Sequence, residues 1–172
     1  MPGPILRAAA VAAATAAVLS LLSAPAQAAS TTGALMLTQV RPNASGADVK
    51  NGRQVNLNGE FFVIKNVTNR PVNIRGYVPD ITSNSYGRAL PSYTLPAGAS
   101  AQVHTGSGTN RRASNGVHHV YRGYARHVLN NDGPKNPDLR LKKPGSTDNN
   151  SSSGSITSCN WGRVADGRTY RC

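Results

Sequence analysis

The sequence is poor in several residue types that catalytic and metal-binding proteins depend on. It has one glutamate (Glu60), one tryptophan, two phenylalanines and two cysteines in 172 residues. A single glutamate excludes a Glu–Glu acid/base pair. Two cysteines cannot build a four-cysteine zinc site, and the chain is too short for an eight-fold β/α barrel. Acidic residues are scarce altogether: 7 Asp+Glu stand against 19 Lys+Arg, a formal charge of +12 and a pI near 10.5. Beyond residue 30 no stretch keeps a 3.6-residue apolar period over eleven positions, so amphipathic helices are not expected.

What is present begins with a leader. Arg7 forms a short positive region and Ala8 to Leu22 is an unbroken run of Ala, Val, Leu and small hydroxyls. Ser23-Ala24-Pro25 breaks the run, and Ala26-Gln27-Ala28 supplies an A-x-A cleavage signal. Residues 1–29 therefore have the layout of a secretory signal peptide. The competing reading, a retained anchor, is disfavoured because the run falls short of the roughly 20 residues that a span needs. Without residues 1–29 the chain keeps 143 residues and, losing only Arg7, a formal charge of +11. The expected organisation is a signal peptide (1–29), one β-domain (30–159) and a C-terminal tail (160–172), in a secreted or surface-associated protein.

Export makes the cysteines legible. Cys159 and Cys172 are an even pair in an oxidising compartment and read as one disulfide. It would close the loop Asn160 to Arg171 around Trp161, a ring for which loop-closure entropy gives about 3 kcal/mol. Two free thiols or an intermolecular bridge are the alternatives.

Between frequent Pro and Gly breakers lie short β-type runs. Ala34 to Val40 is one, and Glu60 to Asn66 is nearly continuously apolar, as suits a strand covered on both faces. Val72-Asn73-Ile74-Arg75 alternates, with Val72 and Ile74 toward a core. Ser92 to Leu95 and Ala99 to His104 flank Pro96-Ala97-Gly98, the composition of a hairpin turn. Val117 to Tyr121, Arg126 to Leu129, Leu139 to Leu141 and Ser155 to Ser158 follow. Arg41 to Val55 and Lys142 to Gly154 are polar and read as exposed loops. Eight or nine short strands imply an all-β sandwich or barrel.

Four blocks in order resemble the lamin tail domain family: Asn56 to Asn66, Val72 to Tyr77, Leu95 to Thr109 and Leu129 to Gly133. The resemblance covers roughly residues 34–159. It implies an immunoglobulin-like β-sandwich with no enzymatic activity of its own, in a family whose bacterial members are commonly exported and whose animal members meet proteins and nucleic acid. The excess of Arg over Lys, 14 to 5, with an Ala-rich leader points to a GC-rich bacterial source. Tyr77 stands where the family usually has Trp, Leu129 where an aromatic is common, and Pro134-Lys135-Asn136-Pro137 interrupts a regular strand.

The candidate chemistry is thin. Glu60 reads as a structural carboxylate accepting backbone or Arg hydrogen bonds at a strand start, in preference to a general acid or base. His104, His118, His119 and His127, with Asp132, lack metal-site spacing, and adjacent His118 and His119 point to opposite faces of a strand. There is no G-x-S-x-G elbow, and no cofactor is expected. Charge is the remaining handle. Arg111, Arg112, Arg122, Arg126, Lys135, Arg140, Lys142 and Lys143 fall within a third of the chain, with Tyr121 and Tyr124 among them, and Arg163, Arg168 and Arg171 follow. A surface built from them would attract DNA or an anionic cell-wall polymer, since Arg grips phosphate bidentately. Alternation along strands would instead scatter them as a solubilising surface. The reading is a secreted, non-catalytic polyanion-binding module. The alternatives are an adhesive module for an envelope protein and, third, a metal-dependent or other hydrolase.

Overall fold

The computed structural model describes residues 31–81, 87–131 and 138–172. The leader, Lys135 and the Asp132-Gly133 half of the late turn lie outside the described residues. In chain order the strands are β1 Leu35–Arg41, β2 Val49–Lys50, β3 Arg53–Gln54, β4 Phe61–Asn66, β5 Val72–Asn73, β6 Val78–Ile81, β7 Thr94–Leu95, β8 Ser100–His104, β9 Arg111–Arg112, β10 His118–Tyr121, β11 Leu139–Lys142, β12 Ser155–Cys159 and β13 Tyr170–Arg171. A 3-10 turn, Leu57–Gly59, is the only helical element among the described residues, and none of their helices is long and apolar enough to cross a membrane.

The expectation of an all-β chain holds. Six strands form the main sheet in the order β13-β1-β4-β8-β10-β9, and three form a second, β12-β11-β6. Pairing in the main sheet is antiparallel except between β8 and β10, which run parallel. Period-2 alternation sorts the main sheet's side chains. Val40, Phe62, Val103 and Val120 face one way, with Leu37, Ile64 and Ala101, and all are buried in one cluster. Ile81, Leu139, Leu141 and Cys159 of the three-stranded sheet join that cluster. The two sheets therefore share a single apolar core. Fully burying a side chain such as Phe62 or Leu141 contributes about 1.5–3 kcal/mol by transfer from water.

β4 is buried on both faces, as its composition predicts: Phe61, Phe62, Val63 and Ile64 are 6%, 1%, 8% and 0% exposed. Three local expectations are corrected. Ser92 to Leu95 and Ala99 to His104 do not form a hairpin. Gly98 does turn the chain at φ 69°, but β7 pairs with β5 while β8 joins the main sheet. Arg126 to Leu129 is not a strand, because its amides are taken by a side chain described below. Lys142 is not the start of an exposed loop but the buried end of β11. Composition also hid β6, whose Pro79 is tolerated because β6 is an edge strand.

Cys159 and Cys172 form a disulfide, with S–S 2.07 Å and Cα–Cα 4.8 Å. Trp161 inside the closed loop donates Nε1–H to the Asn130 carbonyl at 2.7 Å. The Cys159–Cys172 disulfide fits an oxidising setting.

Candidate functional site

The face of the main sheet turned away from the core carries a row of side chains in register across four strands. Arg41 on β1 lies opposite Phe61 on β4, Phe61 opposite His104 on β8, and His104 opposite Tyr121 on β10. The Arg41 guanidinium sits 4.9 Å over the Phe61 ring. Phe61 meets His104 edge-on at 5.7 Å, and His104 stacks on Tyr121 at 4.9 Å. The neighbouring row crosses all six strands: Arg171, Gln39, Val63, Gln102, His119 and Arg111. His119 stacks on His104 at 5.2 Å, which joins the rows. Lys65, two positions along from Val63, adds a fourth cation. None of these positions is acidic, and Gln39, Lys65, Arg111 and Arg171 are exposed.

The imidazoles on this face are held neutral. His104 Nδ1 contacts the Asn58 carbonyl at 2.8 Å, and a carbonyl only accepts, so Nδ1 carries the proton. His104 Nε2 then accepts from His119 Nδ1–H at 2.9 Å. Burial first, and then the charges of His119 and Arg111, lower the His104 pKa against the opposing hydrogen bond to Asn58. Burial and Arg111 likewise lower His119. The face's positive charge near neutrality thus comes from Arg41, Lys65, Arg111 and Arg171, around a strip of four π-systems. Phe61 and His104 are buried and only His119 and Tyr121 are half-exposed, so the surface can offer those two rings to a flat ligand and pair with phosphates.

The sequence-predicted residues are distributed quite differently from a single patch. Arg111, Arg112, Arg126 and Lys143 are exposed, and strand alternation on β9 sends Arg111 and Arg112 to opposite faces. Arg112 sits beside His118, whose Nδ1 is 2.7 Å from the Tyr93 hydroxyl on the core side. The expectation that His118 and His119 part company holds. Arg122 belongs to no surface. It is 7% exposed, packs 4.6 Å over Tyr124 and donates to its hydroxyl at 3.2 Å, and burial drops its pKa to about 10. Lys142 is fully buried against Asp80, and Arg140 lies 3.7 Å from the same carboxylate. Lys135 is outside the described residues. Arg171 was among the cations that follow the predicted cluster, whereas Arg41 and Lys65 were missed because they are far from it in sequence; the signal that could have found them is their outward position on β1 and β4.

Glu60 has the structural role expected of it. It is 1% exposed, and Oε1 accepts from Thr105 Oγ1 at 2.6 Å, Val128 N at 2.9 Å and Leu129 N at 3.0 Å. Oε2 lies 3.2 Å from His127 Nδ1, while His127 Nε2 faces the Val55 carbonyl at 3.0 Å and Asp48 at 3.4 Å. With acceptors at both nitrogens, His127 is stabilised as imidazolium. The Glu60 hydrogen bond, outweighing burial, raises its pKa. This carboxylate closes the end of the core and leaves the amides of Val128 and Leu129 nothing to give a sheet ladder.

No family model, curated protein or solved structure matches the chain.

Proposed function

We propose that the protein is an exported, non-catalytic immunoglobulin-like β-sandwich of lamin-tail type that binds polyanions on the outer face of its six-stranded sheet. The observation that carries this reading is the face, free of acidic side chains at its paired positions, on which Arg41, Lys65, Arg111 and Arg171 surround the half-exposed rings of His119 and Tyr121, both stacked on buried His104. A flexible polyanion with flat rings, such as single-stranded DNA, suits it better than a ring-free wall polymer, because stacking adds to charge pairing. The disulfide and the leader support export. The lamin-tail assignment rests on the four sequence blocks, of which Asn56 to Asn66 falls on the 3-10 turn and β4, and Leu95 to Thr109 spans β8.

The adhesive alternative, pairing through sheet edges, is opposed by Arg111 and Arg112 on β9 and Arg171 on β13. Charged edge strands resist adding a further strand. The hydrolase alternative is opposed by the histidines, which divide between Tyr93, the outer face and Glu60.

Titrating a fluorescent single-stranded oligonucleotide over a range of salt tests the reading. Four phosphate contacts predict a slope of about −3 in log K against log salt, and Arg111→Ser with Arg171→Ser should halve it, while Lys143→Ser leaves it unchanged. Salt-independent binding, or a double variant that binds like the parent, would refute the reading.

A further inference from the structure

Away from that face, the second sheet holds an unusual group. On β11 the leucines Leu139 and Leu141 enter the core, so Arg140 and Lys142 share the other side. Register with β6 puts Asp80 opposite Arg140 and one pleat from Lys142. Lys142 and Asp80 are both fully buried. Lys142 Nζ donates to the Thr147 carbonyl at 2.9 Å and to Asn149 Oδ1 at 2.8 Å. It also lies 2.8 Å from Asp80 Oδ2, yet that oxygen has no aligned hydrogen-bond donor. The amine nitrogen therefore sits against the Asp80 carboxyl group without being held in a well-formed hydrogen bond to it. Asp80 Oδ1 accepts from Asn150 N at 3.3 Å. Asp148 reaches in from the loop that follows β11, accepts from Gly87 N and lies beside Asp80.

Two neighbouring carboxyl groups repel unless one keeps a proton, so one of them holds its proton to a higher pH. That group is Asp148, pushed up to about 6 by burial and by Asp80. Burial works to raise Asp80 too, but neighbouring Asp148, the charge of Lys142 and the Asn150 amide together outweigh it and hold Asp80 low. Below about pH 6 the three side chains thus carry one ammonium, one carboxylate and one carboxylic acid. Moving one proton from the ammonium to the carboxylate turns that set into an amine and two acids with no change in total charge. In a site shut from water, desolvation of both ions narrows the gap between the ion pair and that neutral set, which makes the neutral set the reactive minority.

We infer that Lys142 and Asp80 condense autocatalytically into an intramolecular isopeptide bond that ties β11 to β6, with Asp148 as the proton relay. In this step neutral Nζ attacks Cγ of protonated Asp80 and the C–N bond forms. Asp148 takes a proton from the nitrogen on one oxygen and delivers its own to the departing hydroxyl. The Cγ–O bond breaks and one water leaves. Asp148 ends as it began, and nothing is oxidised or reduced. Holding the partners in contact supplies an effective concentration of about 10⁵ M or more, which lets an amide form from a carboxylic acid without activation.

Peptide mass spectrometry of the purified, reduced full chain decides the matter. Trypsin should yield residues 76–88 joined to residues 141–163, lighter than the two peptides together by one water, with no cleavage after Lys142. Free residues 76–88, together with cleavage after Lys142, would overturn the inference. So would free residues 76–88 beside a peptide 141–163 lighter by ammonia, which would place the bond at Asn149. Lys142→Met removes the nucleophile but strands buried Asp80, so it can fail to fold. Asp148→Asn is the sharper variant. It keeps an acceptor for Gly87 N and should give a folded, disulfide-bonded protein in which the linkage is lost. A fully linked Asp148→Asn protein would overturn the relay.

Discussion

Replacing Glu60 by Gln changes one atom and should destabilise the fold by several kcal/mol. Glu60 Oε1 accepts three hydrogen bonds and Oε2 a fourth, from Thr105, Val128, Leu129 and His127. In the variant the amide oxygen must remain at the Oε1 position to keep three donors satisfied, which turns the NH₂ toward His127 Nδ1. His127 then has to give up its Nδ1 proton, and with it the charge. A hydrogen bond to a charged group contributes about 1.5–3 kcal/mol and one to a neutral group about 0.5–1.5, so three weakened bonds cost about 3 kcal/mol. Losing the imidazolium–carboxylate pair brings the sum to about 3–5 kcal/mol, the range for breaking one partner out of a buried pair. Urea unfolding of the oxidised protein at mildly acidic pH, followed by tryptophan fluorescence, reads this as a lower midpoint with an unchanged slope. The side chain keeps its volume, so no cavity contributes, as it would for Ala. A loss below about 1 kcal/mol would refute the assignment of Glu60 as the anchor of residues 127–129.

Three other outcomes follow from the same structure. His127 has a folded pKa raised above its ordinary 6.5, so its contribution is complete below that value and is lost as pH rises through the folded one. The stability difference between the parent and His127→Gln should therefore shrink from mildly acidic to alkaline pH; a difference that grows would contradict it. Cys159→Ala with Cys172→Ser opens a ring of sequence separation 13 and should cost about 3 kcal/mol in urea unfolding, while an unchanged midpoint would show that the bond constrains nothing. Tyr121→Ala should weaken single-stranded DNA binding by about 1–3 kcal/mol with the salt slope intact, because it removes stacking and no charge. A changed slope at constant affinity would contradict the stacking role.

Strands were legible where local composition and tertiary burial agree. Glu60 to Asn66 is the clearest case: its continuous apolar run matches a strand buried on both faces, and even outer-facing Phe61 and Val63 are covered. Leu139 to Leu141 and Ser155 to Ser158 were found within a residue of their observed ends. Arg126 to Leu129 has the composition of a strand, but a side chain from the start of β4 outcompetes a neighbouring strand for its amides. No local pattern can reveal that competition.

The charge reading failed in the same way for two of its residues. Arg122 and Lys142 look like surface cations until the fold supplies Tyr124 and Asp80. Arg41 and Lys65 on the outer face were overlooked for the converse reason. They sit on strands distant in sequence and become neighbours only through the sheet order. Adjacent Arg111 and Arg112 looked like a pair and are separated by the pleat, whereas Arg111 and Arg171 look unrelated and share one row.

The disulfide spans the two sheets. Cys159 ends β12 of the three-stranded sheet, and Cys172 follows β13, donating its amide to the Thr38 carbonyl at the rim of the six-stranded sheet. The layers are therefore hinged along one side only. Breathing motions that part them must start at the far side, where β9 is a two-residue edge. Amide exchange should then run as a gradient, fast at β9 and β10 and slowest at β1, β11 and β12, which open only when the whole molecule does.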